Sequence, residues 1–315
     1  MTDLATMFGA GFMQSAALAL GILAVVGAVV GVALNLRDLE FMSDGLVHAV
    51  FPGIVLGFVL GGVDGVYVGA VVAALLATTL LTISSHRGVG SDATIAVLLA
   101  GAFALGIVIV SRTTKYASGL ESLLFGQLLT IDSDDLIAIA VLGGIALTLV
   151  IGTWKEQLFV SFDKPGARAA GLSVLAYELA LNLAIALVVV ASSRAVGNLL
   201  VLAILIVPAA IGRLCSARLG PTIAIAIGSA LGASVLGLAA GYWFSVDSRI
   251  QVSPSAVLVL VLVGIYLVVA AITSLGRRLR RRPNGDARGD RATAGSGIRA
   301  ELAAELVDDV PGARV

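Results

Sequence analysis

Asp44 and His48 carry the clearest chemical meaning in this sequence. They stand four residues apart in an apolar run, so in a helix they share one face, with Pro52 a further turn along. A carboxylate and an imidazole on one face suit a divalent cation such as zinc or manganese. One chain offers only this pair. Two copies facing each other across a two-fold axis would offer two carboxylates and two imidazoles. The plainer alternative is an interfacial Asp44 that N-caps its helix while His48 hydrogen-bonds a neighbouring helix. Pro52 and Gly53 are expected to bend this helix and free backbone groups, which membranes tolerate beside protein or a water-filled cavity. Glu178 lies about a turn inside a second apolar run, with Asn182 one turn further on the same face. Glu178 either lines a cavity or snorkels toward the interface, and snorkelling is the favoured expectation. His86, beside Arg87, is expected to be solvated, and Asp92 to sit at a helix N-terminus.

Other chemistry is missing from the sequence. It holds no G-x-x-x-x-G-K-[ST] phosphate loop, no G-x-S-x-G elbow, no H-E-x-x-H and no C-x-x-C. ATP hydrolysis by that phosphate loop is therefore excluded, and the chain is not expected to be an enzyme. Cys215 is the single cysteine, which rules out an internal disulfide or a thiolate cluster.

The elements that position these residues are built for lipid. Of 315 residues, 59% are hydrophobic and 13% charged, and the mean hydropathy is +1.06. Soluble domains run about 45–50% apolar and about 25% charged, so a disordered chain, a nucleic-acid binder and an ordinary soluble enzyme are excluded. A membrane-spanning helix needs about 20 mostly apolar residues. Nine runs qualify, at roughly 12–34, 43–61, 65–84, 92–110, 134–152, 174–193, 197–212, 221–243 and 255–275. The expected fold is an all-α polytopic bundle of about nine spans, within a range of eight to ten. Glycines four apart, at Gly53, Gly57 and Gly61 and again at Gly27 and Gly31, allow close helix approach.

Basic residues set the orientation. With 154–173 on the cytoplasmic side, that side holds Arg37, Arg87, Lys155, Lys164, Arg168, Arg213, Arg218 and the run from Arg277 to Arg282, while the other holds Arg112, Lys115, Arg194 and Arg249. This predicts an outside N-terminus and a cytoplasmic C-terminus. Residues 1–282 form the expected membrane domain. Residues 283–315 are expected to be a flexible cytoplasmic tail with a short helix at 299–307. In the 155–171 connection, Asp163 suits an N-cap, Pro165 the first turn and Gly171 the stop. The result is a short helix lying across the loop with Phe159 and Phe162 near its start, placed where a soluble partner could receive it.

Four segments, in order, resemble one family. The stretch from Asp44 through His48 to Pro52 and Gly53 is similar to the D-x-x-S-H-A-x-x-P-G signature of the zinc/manganese-type permeases of ATP-binding-cassette importers. Leu123 to Gly126 resembles that family's L-L-F-G segment. Phe159 to Gly171 resembles its coupling segment, S-F-D-P-E-x-A-x-x-x-G. Asn198 to Pro208 and the two alanines after it resemble its G-x-L-L-V-x-A-L-L-I-x-P-A-A segment. The departures are Val47 before His48, an extra Lys164 before Pro165, Gly166 where Glu is common, and Asn198 in place of a usual Gly.

The resemblance implies a permease that passes divalent metal, zinc or manganese, from an extracellular binding protein to the cytoplasm across the inner (plasma) membrane. It implies a homodimer served by two cytoplasmic ATPase chains that bind the ATP, with no resident cofactor and no nucleic acid. Asp44 and His48 match the metal-path positions. Phe159, Phe162, Asp163, Pro165, Arg168 and Gly171 match the ATPase-coupling segment. Pro52, Gly53, Glu178, Asn182 and Pro208 are expected to serve the pathway or its packing. The rival readings are a permease for a haem or iron chelate, a proton- or sodium-coupled secondary transporter using Glu178 and Asn182, and a membrane scaffold.

Overall fold

The computed structural model describes residues 11–86, 91–111, 126–246 and 253–280. Among these residues nine helices are long and apolar enough to cross a membrane. They are α1 (Gly11–Asn35), α2 (Glu40–Gly62), α3 (Asp64–Ser84), α4 (Ser91–Val110), α5 (Ser133–Gly152), α8 (Val174–Val196), α9 (Asn198–Cys215), α10 (Leu219–Val246) and α11 (Pro254–Arg280). Two short helices, α6 (Trp154–Phe162) and α7 (Lys164–Ala169), lie between α5 and α8. Helices dominate because lipid offers backbone N–H and C=O groups no partner, and a helix satisfies them within one segment. The nine expected runs agree with these spans to within a few residues.

α1 and α8 are the most enclosed helices, and α4 and α11 the most open. α1 packs against α5, α8, α9 and α10, and α8 also packs against α5 and the α2–α3 hairpin. The described residues up to Ala270 form one compact unit, and those from Ala271 belong to a second. The expected 282/283 boundary and the tail with its helix at 299–307 lie outside the described residues.

Glycine governs the closest approaches. α2 and α3 form one helical run broken at Gly62, whose φ of 64° and ψ of −147° only glycine adopts freely. The chain reverses there with almost no loop. A Cβ on Gly53 or Gly57 would collide with the backbone of Gly69 or Gly65, and a Cβ on Gly31 with the Leu205 carbonyl of α9. Gly61 differs from the sequence expectation: it sits at the hairpin tip and nothing approaches it within 4 Å. Pro52 and Pro208 are both accommodated inside helices, in α2 and α9.

Two further expectations are corrected. Asp44 is not an N-cap, because α2 starts four residues earlier at Glu40. The Glu40 carboxylate accepts from the Asn35 amide, and Ser43 Oγ donates to the Glu40 carbonyl at 2.7 Å. The glycine wanted before α9 is also present, one residue ahead of Asn198. Gly197 has φ +82° and is the N-cap. Gly126 (φ +70°) packs against this Val196–Gly197 turn, and Gln127 N donates to the Ala195 carbonyl at 3.1 Å. Leu123 to Phe125 lie outside the described residues.

Replacing Gly57 with Leu is expected to cost about 1–3 kcal/mol through overpacking of the α2–α3 hairpin. Gly61→Leu, at the open tip, is expected to leave the melting temperature of the purified protein nearly unchanged. Thermal unfolding in detergent compares the two.

Candidate metal path and coupling segment

Asp44 and His48 lie in the second and third turns of α2, with His48 about 12 Å along the axis from Glu40. His48 Nε2 and Asp44 Oδ1 are 3.6 Å apart, too far for a hydrogen bond. Two donors sharing one cation at about 2.1 Å each stand about 3–3.5 Å apart, so the pair is close to ligating geometry. His48 Nδ1 is buried without a hydrogen-bond partner, and its ring meets Phe103 of α4 edge-on at 5.4 Å. The helix–helix hydrogen bond of the plainer reading is therefore not formed through that nitrogen. Both side chains remain partly open, 25% for His48 and 35% for Asp44. Among the described residues no group of three or more His, Cys, Asp or Glu gathers to hold a metal. A single chain supplies half a coordination shell.

The 153–173 connection is two helices rather than one. Phe159 and Phe162 belong to α6, not to the start of α7, and Phe162 is 77% exposed. Asp163 links the helices: its carboxylate accepts from Gly166 N at 2.8 Å and caps α7. Pro165 occupies the first turn of α7. Gly171, at φ +82°, ends it, with Leu172 N donating to the Ala167 carbonyl and Gly171 N to Arg168, both at 3.0 Å. That paired pattern is the Schellman stop that glycine permits. Lys164, the residue extra to the resembled motif, is the first residue of α7.

Arg37 fastens this segment to the start of α2. Its Nε donates to Ser161 Oγ at 3.0 Å and its Nη2 to the Gln157 carbonyl at 3.2 Å. The tight α1–α2 connection, with Asp38 in the left-handed region at φ 52°, carries Arg37 there. Burial lowers the Arg37 pKa and the charge of Glu178 opposes that shift; an arginine stays charged regardless. Gln157 Nε2 donates to the Tyr177 carbonyl at 2.9 Å, which fastens α6 to α8 as well.

Between these elements lies a cavity of about 510 Å³ whose lining includes Arg37, His86, Lys164, Glu178 and Asn182. Glu178 does not snorkel alone, and His86 is not merely solvated. Glu178 Oε2 lies 2.7 Å from His86 Nε2, and Oε1 lies 2.9 Å from Lys164 Nζ. Asn182 Nδ2 donates to Thr82 Oγ1 at 2.9 Å. Asp92 opens α4 at its second residue.

A second polar cluster occupies the opposite end of the bundle. Buried Asp135 accepts from Tyr67 Oη at 2.7 Å and pairs with Arg194 at 3.2 Å. Asp132 caps α5 by accepting Asp135 N at 3.0 Å. That backbone hydrogen bond holds the Asp132 carboxyl below its ordinary range. The cap therefore stabilises the fold above the ordinary carboxyl pKa and is lost as the pH falls through the lowered one. Sequence reasoning passed over Tyr67, Asp135 and the pairing roles of His86, Lys164 and Arg37. Only the intrusive Lys164 left a trace there.

Comparisons with known proteins bear on the family and the fold. The ABC 3 transport family model matches residues 10–273. The manganese import system permease protein ScaB of Streptococcus gordonii is 35% identical over 273 residues, covering 86% of this chain and 95% of that one. The manganese transport system membrane protein MntC of Listeria innocua is 30% identical over 238 residues, 76% and 84% of the two chains. The structure of PsaBC from Streptococcus pneumoniae in complex with Fab superposes with a TM-score of 0.74 at 30% identity, covering 85% of this chain and 95% of that one.

Arg194→Ala would leave Asp135 buried beside Tyr67 without its cation. The expected loss is about 1–3 kcal/mol, read as a lower unfolding midpoint, with Arg194→Lys retaining part of it.

Proposed function

The chain belongs to the ABC 3 transport family, and we propose that it is the membrane permease of an ATP-driven importer that carries manganese inward, with zinc as the second ion its ligands suit. The observation that carries this reading is the Asp44–His48 pair, 3.6 Å apart on a partly open face of α2, with no third His, Cys, Asp or Glu ligand gathered beside it among the described residues. A second copy facing that surface completes two carboxylates and two imidazoles, a set suited to either ion. The partners are two cytoplasmic ATPase chains and an extracellular metal-binding protein that delivers the ion. The membrane is the plasma membrane, and the basic residues put the 153–173 connection in the cytoplasm.

In this reading the ATPase receives α6 and α7, with the exposed Phe162 as the apolar contact. ATP-driven closure of the ATPase pair displaces the two short helices. Arg37, bound to Ser161 and Gln157, passes that displacement to the start of α2, seven residues before Asp44. Gln157 passes it to α8 through the Tyr177 carbonyl. Metal binding at Asp44 and His48 is brief, since a site that holds too tightly cannot release. His48 ligates only when neutral, so acidification weakens the step.

Two measurements test the reading. Manganese uptake by cells carrying Asp44→Ala or His48→Ala at normal membrane levels is expected to fall about tenfold or more; full uptake in both variants overturns the path. Arg37→Ala is expected to leave ATP hydrolysis by the assembled complex running while uptake falls, and Phe162→Ala with Asp163→Lys to reduce co-purification of the ATPase. Unchanged uptake in the first, or unchanged assembly in the second, removes the coupling role.

A further inference from the structure

We infer that Glu178, His86 and Asn182 form a second divalent-cation site in the cavity beside the α6–α7 connection, and that Lys164 of the coupling segment is its built-in competitor. The inference rests on the import reading for the identity of the cation.

The donor set comes first. Glu178 is a carboxylate with only 14% of its side chain exposed, and His86 Nε2 lies 2.7 Å from it. Asn182 is one turn further along the same face of α8 and also lines the cavity. Its amide orientation follows from its neighbour. Thr82 Oγ1 donates its proton to the Thr78 carbonyl at 2.7 Å, so toward Asn182 it accepts, and Nδ2 must face it. Asn182 Oδ1 is thereby left buried with no hydrogen-bond partner, in a residue only 3% exposed. Glu178, His86 and Asn182 all line one cavity, and a carboxylate oxygen, an imidazole nitrogen and an amide carbonyl without a hydrogen-bond partner are donor types that suit manganese or zinc. The chemistry repeats that of Asp44 and His48, with a carbonyl added.

Lys164 occupies the place of the cation. Its ammonium sits 2.9 Å from the second oxygen of Glu178. An ammonium and a divalent ion repel when both crowd one carboxylate, and although the Lys164 side chain is 56% exposed the two compete for the same Glu178 carboxylate. Lys164 is the first residue of α7, so occupancy of the site and the position of the coupling segment are linked, each biasing the other. Arg37 and Arg168 also line the cavity and weaken any cation bound there, while Asp38 opposes them. The site therefore fills when α7 withdraws Lys164 and empties when Lys164 returns.

The test uses the full-length chain assembled with its ATPase, in detergent, with Mn²⁺ binding read by electron paramagnetic resonance of the free ion. In an Asp44→Ala/His48→Ala background one weak Mn²⁺ per chain is expected to remain. Adding Glu178→Gln is expected to weaken it about tenfold or more, with His86→Ala as the second variant should the first not fold. Adding Lys164→Ala instead is expected to tighten it about threefold, the scale of a partly exposed charge pair. No saturable binding in the background, binding indifferent to Glu178→Gln and His86→Ala, or no tightening with Lys164→Ala each overturns the inference. Wild-type manganese uptake is measured in parallel. Intact uptake with any of these negative results sinks the second site alone, whereas absent uptake sinks the import reading.

Discussion

The guanidinium of Arg37 ties the α1–α2 connection to the first of the two short helices that follow α5. It sits in a four-residue connection between two spans and reaches across to α6, donating to Ser161 and to the Gln157 carbonyl. Its removal would leave α6 held to the rest of the bundle mainly through α8. Nearby, Arg213 of α9 donates to both the backbone and the side-chain oxygen of Asn35, at 2.9 and 2.7 Å. That contact satisfies the carbonyl end of α1 and complements its dipole. The start of α2 is thus fixed by charged groups on the neighbouring connection and on a distant helix. Asp44 and His48 inherit their position from that anchorage.

Polar contacts between helices concentrate near the two ends of the bundle. α8 illustrates this, with Glu178 tied to His86 and Lys164 near its first residues and Arg194 tied to Asp132 and Asp135 near its last. Between them α8 is buried among aliphatic neighbours. In lipid a charged pair away from water must be enclosed by protein, and the ends are where enclosure and water can coexist.

Much of the architecture was legible in the sequence, because span length is a bulk property. Nine apolar runs gave nine helices, and Asp163 and Gly171 announced the bounds of α7 through local capping chemistry. What escaped was set by partners far away in the chain. The run of apolar residues pointed to residue 43 for the start of α2, whereas Glu40 and Ser43 extend the helix through polar contacts that hydropathy does not register. The division of 153–173 into two helices was hidden because Asp163 serves as both the C-cap of α6 and the N-cap of α7. Glu178 and His86, 92 positions apart in sequence, carry no spacing signal. Gly61 repeated the period of Gly53 and Gly57, yet it lies past the point where the hairpin arms touch, so its spacing had no packing meaning.

The reversal at Gly62 also bears on how α2 enters the bilayer. Among the described residues α2 is the least hydrophobic span, with a mean hydropathy of 1.8 against 2.2 for α3. With almost no loop between the two, neither arm can enter the bilayer far from the other, so their transfer free energies act together. The more greasy arm then offsets the reluctance of the polar one. The Asp44 carboxylate and the His48 imidazole thus sit in a hairpin whose combined transfer into lipid is more favourable than that of α2 alone.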